Sequence, residues 1–209
     1  MYQQGGSVSA GTTLVTQKAF ENNDGTTNPT EKGKFIIDTN ASVMFVDEIG
    51  TQEVDGEIQE LSILVKSGVH AKVNVFKNMR LTNSGLKRSA IDIEPGGTLD
   101  LWVAENAEVV VNSGLGEDSA ANTPGKGGYA GIHVSWKDTN ENGNKDEGEY
   151  GTLNLKGNGT IKAIGGDAGS GTLNYGNYGQ TAGGGGAGAG IGGNGGNGAA
   201  GKYRGRSRL

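Results

Sequence analysis

The stretch from Ser89 to Val111 constrains the fold more than any other, because its alternating apolar and polar runs are too short and too closely joined to be helices. Ile91 and Ile93, then Leu99, Leu101 and Val103, then Val109 and Val111 fall on one side of a period-two pattern. Asp92, Asp100, Trp102 and Val110 fall on the other. Each run therefore predicts a strand with one buried face. Pro95-Gly96-Gly97 turns the chain in too few residues for a crossover helix, so the bend leads directly into the next strand. The pattern then recurs. Ala130 to Val134 resembles Ala90 to Ile93, Gly151 to Leu155 resembles Gly97 to Leu101, and Gly159 to Ile164 resembles Ala107 to Val111. Ala189-Gly190-Ile191 has the form of a further copy. A unit that returns in this way predicts an all-β fold, a single-stranded right-handed parallel β-helix (β-solenoid) with short strands and lateral loops. Stacking in register would set Ile91 over Ile132, Leu99 over Leu153 and Val109 over Ile161, each pair roughly 5 Å apart.

The same inward row extends upstream. Phe35-Ile36-Ile37 and Val43 to Val46 are apolar on both faces, which suits strands covered by a cap. Ile63 and Val65, then Val73 and Val75, then Met79-Arg80-Leu81 make one set of three strands. Thr51 to Glu60 is acidic and reads as a loop, and Gly114 to Gly128 as a polar lateral excursion that costs the stacking nothing. The expected divisions are a loose N-terminal segment or cap over 1–33, with one strand near Thr12 to Thr16, and the solenoid over 34–166. Residues 167–209 read as a glycine-rich partial coil and basic tail. Two readings of that glycine tract stay open: flexible linker, or a coil that orders only against a following one.

Composition supports a narrow core. Only 33% of the 209 residues are hydrophobic and 41 are glycine, which excludes a large globular core. Lys202, Arg204, Arg206 and Arg208 carry four positive charges, so the net charge of -5 becomes -5 minus 4, or -9, over residues 1–201. An acidic body of this kind argues against binding nucleic acid or an anionic membrane. Cysteine is absent, which removes disulfides and thiolate metal sites. Tyr2-Gln3-Gln4-Gly5-Gly6 has neither the basic start nor the apolar run of a signal peptide. No stretch approaches the roughly 20 apolar residues of a membrane span. An exported protein of this sequence would therefore be an internal piece or a processed form.

The sharpest chemical signal runs from Asp138 to Glu149. Asp138, Asn140, Asn142, Gly143 and Glu149 match the calcium-loop pattern D-x-[DN]-x-[DN]-G-x5-E. Side-chain oxygens at Asp138, Asn140, Asn142 and Glu149, the backbone carbonyl of Asn144, and Asp146 through a water are the donor set a hard cation requires. Gly143 permits the sharp turn. Lys145 stands where the helical version has an apolar residue, and strands rather than helices flank the loop, so a solvated hairpin tip is the competing reading. Trp136 and Tyr150 would brace its stem.

Trp102 is predicted to point outward beside Asp100 and Asp92, a ring for the apolar face of a sugar and carboxylates for its hydroxyls. The competing reading buries Trp102 under the 114–128 excursion. The G-x-G-x-x-G at Gly188 to Gly193 lacks a clear preceding strand and a following acidic residue, so it is not read as a dinucleotide site. His70 and His133 read as solvated imidazoles, and no H-E-x-x-H or G-x-S-x-G occurs. Arg80, Lys87, Arg88 and Lys162 are not gathered by their spacing, so no catalytic residues are assigned.

Ser89 to Leu101, Ala130-Gly-Ile-His-Val, Gly159-Thr-Ile-Lys-Ala-Ile-Gly-Gly and Gly188-Ala-Gly-Ile-Gly-Gly together resemble the parallel β-helix repeats of large bacterial, Firmicutes-type, cell-surface proteins. The likeness covers about Leu81 to Gly196. It implies an extracellular, non-catalytic module, a spacer or adhesive segment stabilised by calcium, with adjoining domains of a longer protein and a polysaccharide or cell-surface glycan as partner. The alternative it carries is a carbohydrate-binding or polysaccharide-lyase-like β-helix. An ice-binding face is disfavoured, because Thr98, Thr152 and Thr160 precede the strands instead of forming a flat ladder.

Overall fold

The computed structural model describes residues 2–3, 11–15, 33–50, 53–54, 57–58, 61–83, 87–119, 123–144, 146–173, 181–182 and 184–199. All regular structure among them is β. The chain opens with β1 (Tyr2–Gln3), β2 (Gly11–Val15), β3 (Lys34–Ile37), β4 (Ala41–Phe45), β5 (Glu53–Val54) and β6 (Glu57–Ile58). Then come β7 (Ser62–Val65), β8 (His70–Val75), β9 (Met79–Thr82), β10 (Ile91–Ile93), β11 (Thr98–Val103) and β12 (Glu108–Asn112). The last are β13 (Ile132–Val134), β14 (Thr152–Gly157), β15 (Thr160–Ile164), β16 (Thr172–Leu173), β17 (Thr181–Ala182) and β18 (Ile191–Gly192). Among the described residues no helix is long and apolar enough to cross a membrane.

Three sheets hold most of these strands. Sheet A has the order β1-β2-β4-β8-β11-β14, sheet B β18-β13-β10-β7-β3, and sheet C β15-β12-β9. Every pairing inside them is parallel. From β7 to β15 the chain visits B, then A, then C, and repeats that circuit. Strands β1 and β2 extend sheet A; β2 falls where one strand was expected, near Thr12 to Thr16, and β1 lies where loose coil was expected. Strands β5 and β6 pair antiparallel, Glu53 with Ile58 and Val54 with Glu57, where a plain loop was expected.

The register follows the period-two rows. Ile91 pairs with Ile132, Leu99 with Leu153 and Val109 with Ile161. Phe35, Ile63, Ile91 and Ile132 form one buried column in sheet B, and Val43, Val73 and Leu101 another in sheet A. Each such aliphatic side chain contributes about 1.5–3 kcal/mol on burial. Corners are closed by side chains one circuit earlier: Asn40 Oδ1 accepts from the His70 amide at 2.7 Å, and Asn78 Oδ1 from the Glu108 amide at 3.0 Å. The columns open at the last circuit, where Leu153 and Ile161 are only partly buried and Leu155 is 47% exposed.

The glycine-rich segments form a second body of backbone. Residues 114–119 run beside 165–171, with Gly116 N donating to Asp167 O and Ser119 N to Ser170 O, both at 2.8 Å. Residues 123–131 lie between their neighbours. Lys126 and Tyr129 donate to Glu117 and Gly114, Gly128 and Gly131 donate to Gly186 and Ala189, and Gly195 and Gly198 donate back to Gly128 and Gly125. Asn197 and Asn194 accept from the remaining amides, Gly127 N at 3.3 Å and Ala130 N at 2.7 Å. Each partnership thus recurs every third residue, the period of the polyproline II helix, whose backbone makes no internal bonds and offers all its groups to neighbours. Among the described residues of these segments only Gly192 takes a positive φ, 136°, where the chain turns between Ala189 and Gly193. Close approach demands the glycines: a Cβ on Gly166 would land on the Gly114 carbonyl, and one on Gly127 on the Gly195 carbonyl.

This packing revises one expectation and decides between two readings. Residues 114–119 and 123–128 are not a free lateral excursion, and of the two readings of the glycine tract linker fails for residues 184–198, which exchange hydrogen bonds with 123–131. The expected division after residue 166 falls within the bonded segment 165–171. The basic tail from Lys202 lies outside the described residues.

Candidate functional site

The loop from Asp138 to Glu149 projects from a hairpin stem in which Trp136 and Tyr150 pair antiparallel. Lys137 N donates to Glu149 O at 2.8 Å and Gly151 N to Ser135 O at 2.8 Å. Asp138 folds the loop around itself, its Oδ2 accepting from Gly143 N at 2.7 Å and its Oδ1 from Asn142 N at 3.2 Å. Asn140 Oδ1 accepts from Asn142 N at 3.1 Å, and Asn142 Oδ1 from Asn144 N at 2.7 Å. Gly143 takes the positive φ of 75° the pattern requires, and Glu141 reaches 57°.

The acidic ends are already engaged. Glu149 is 3% exposed; its Oε1 accepts from Thr139 N at 2.8 Å and Thr139 Oγ1 at 2.6 Å, and its Oε2 from Asp146 N at 3.2 Å. The Thr139 hydroxyl, then the Thr139 amide, hold this carboxyl below its ordinary pKa. Asp146 Oδ2 accepts from Asn140 Nδ2 and Asn142 Nδ2, both at 2.7 Å, and these bonds lower its pKa as well. Among the described residues no three His, Cys, Asp or Glu side chains gather as a metal-binding group. The loop brings Asp138, Asn140, Asn142, Asn144, Asp146 and Glu149 into one hydrogen-bonded tip with oxygen-rich chemistry, and Glu149 is buried against Thr139 and Asp146 within it.

The second set of expected residues divides. Asp100 and Trp102 stand on the outward side of β11 in sheet A, whereas Asp92 stands on β10 in sheet B. Asp92 belongs to a different cluster: its Oδ1 lies 2.9 Å from His133 Nδ1 and accepts from Ser135 Oγ at 3.2 Å. His133 is therefore paired, not simply solvated. Ser135 Oγ lies 3.1 Å from that same Nδ1, and a nucleophilic triad needs hydroxyl and carboxylate on opposite ring nitrogens, so the cluster is not one.

Asp100 is held by Asn154 Nδ2 at 2.8 Å and Lys156 Nζ at 2.9 Å, with His70 Nε2 at 3.3 Å. The Asn154 amide first, then Lys156, lower its pKa to about 2. Trp102 meets Phe76 with ring centroids 5.3 Å apart and planes inclined by 56°. Phe76 is 41% exposed, so the pair forms a ledge at the edge of the sheet face. Phe76, Asn154 and Lys156 were not singled out from sequence, and His70, read there as a solvated imidazole, faces Asp100. The register supplies the missing link, because Trp102 pairs with Asn74, two residues before Phe76, and with Lys156.

Comparison of the chain with protein-family models, curated proteins and solved structures returns no match.

Proposed function

We propose that this chain is a β-solenoid, a single-stranded right-handed parallel β-helix, serving as a non-catalytic extracellular spacer or adhesive segment of a bacterial surface protein. The observation that carries the reading is the repeated B, A, C circuit of parallel strands with continuous apolar columns. Parallel crossovers are right-handed in nearly all proteins, which supports the hand. A stack of this kind is stiff without disulfides, as a spacer requires. The loop at 138–149 is proposed to hold calcium through its carboxylate, amide and carbonyl oxygens, and the Asp138 turn around Gly143 supports that assignment.

The Phe76–Trp102 ledge favours a second reading, in which the outward face of sheet A binds carbohydrate. One experiment separates spacer or binder from lyase. The chain is incubated with a panel of polysaccharides, and both retention and new chain ends are measured. Retention without cleavage, or neither, is expected; release of unsaturated or reducing ends overturns the non-catalytic reading. Small-angle scattering from a compact sphere in place of an elongated particle overturns the solenoid.

A further inference from the structure

Resting on the carbohydrate reading, we infer that the outward face of sheet A takes a single soluble saccharide chain whose sugars carry a carboxylate. Ring geometry sets the first part. Two planes inclined by 56° cannot both lie flat on the even surface of a crystalline polymer. They suit one pyranose stacked on Trp102, with Phe76 walling its edge, on a chain free to bend.

Charge sets the second part. Lys72 is exposed on β8, where it pairs with Asp100 on one side and Ser42 on the other. Asp100 already accepts from Asn154 and Lys156 and faces His70, so its charge is spent on them. The outward side of β8, β11 and β14 then holds Lys72 and Lys156 against Asp100, two positive charges less one negative, on a chain of net charge -5. One strand over and one side-chain row along, Lys72 lies roughly 8 Å from Trp102 by backbone spacing. That is within reach of a carboxylate on a sugar stacked on the indole, because the lysine stem is long and flexible. Asn74 and Asn154 flank the same position with amides for ring hydroxyls.

Calorimetry on the full chain tests this with an oligouronate and the neutral oligosaccharide of the same length and linkage, and sedimentation tests microcrystalline cellulose. The oligouronate is expected to bind, more weakly as salt is raised. Trp102→Ala and Lys72→Gln are each expected to weaken it by about tenfold or more, with thermal midpoints unchanged. Neutral sugar bound as tightly as uronate, cellulose bound at all, or Lys72→Gln without effect overturns the inference while the carbohydrate reading stands. Binding of none of the probes overturns both.

Discussion

Gly166 donates its amide to the Tyr129 carbonyl at 2.8 Å, and the same two segments meet again three residues on, where Gly169 donates to Lys126. The two stretches are 37 positions apart in sequence by their numbers, 166 minus 129, and both of these bonds run from backbone to backbone.

Such a joint tolerates no Cβ on the inner side. Gly166→Ala places a methyl group against the Gly114 carbonyl, and the segments must part to admit it. The expected loss is about 1–3 kcal/mol in chemical denaturation. Hydrogen exchange should quicken at Gly116, Gly166 and Gly169, while Ala168→Ser, at an exposed position, changes little. An unaltered midpoint in Gly166→Ala would show that the glycine segments are not packed in this way.

Leu101 and Leu155 occupy one column, yet Leu101 is 1% exposed and Leu155 47%. Leu101→Ala is expected to cost about 2–5 kcal/mol and Leu155→Ala well under half of that. Urea midpoints decide it; equal losses would mean that the last circuit is covered in solution.

Asp100 links the sheet face to acid stability. Its pKa falls from 3.8 to about 2 in the folded chain, so the stabilisation it contributes is complete above about pH 4 and is lost as pH falls through 2. Carboxyl chemical shifts should place its titration near the lower value, and Asn154→Ala should move it upward, since the Asn154 amide is the largest cause. A wild-type titration near 4 would sink this account of the network.

Calcium at the loop is expected to bind weakly, with a Kd on the order of 10⁻⁴ to 10⁻³ M, as loops with few charges do. Millimolar calcium should raise the thermal midpoint of the wild type, and Asp138→Ala should abolish that gain while leaving the stack folded. Glu149→Gln should lose the gain and also weaken the metal-free tip, because Glu149 already accepts from Thr139 and Asp146. Neither heat nor stabilisation in wild type would leave the loop a hydrogen-bonded tip and nothing more.

The amino-acid order by itself determined the strands and their inward rows, since Ile91, Leu99 and Val109 alternate with polar residues and meet Ile132, Leu153 and Ile161. A period-two row states which face loses water, and hydrophobic burial acts on that face whatever the distant partner. It also placed Trp136 opposite Tyr150, because a hairpin stem is local. Only the tertiary structure decided that Asp92 joins His133 and not Trp102, that Phe76 meets the indole, and that residues 114–119 and 123–131 pack on 165–171 and 184–198. Glycine carries no side chain to mark its partner, and one backbone amide is chemically like the next. The three-residue spacing of Asn194 and Asn197 is one trace of that packing in the sequence, and its meaning depends on the two amides, Ala130 and Gly127, that the fold brings to them.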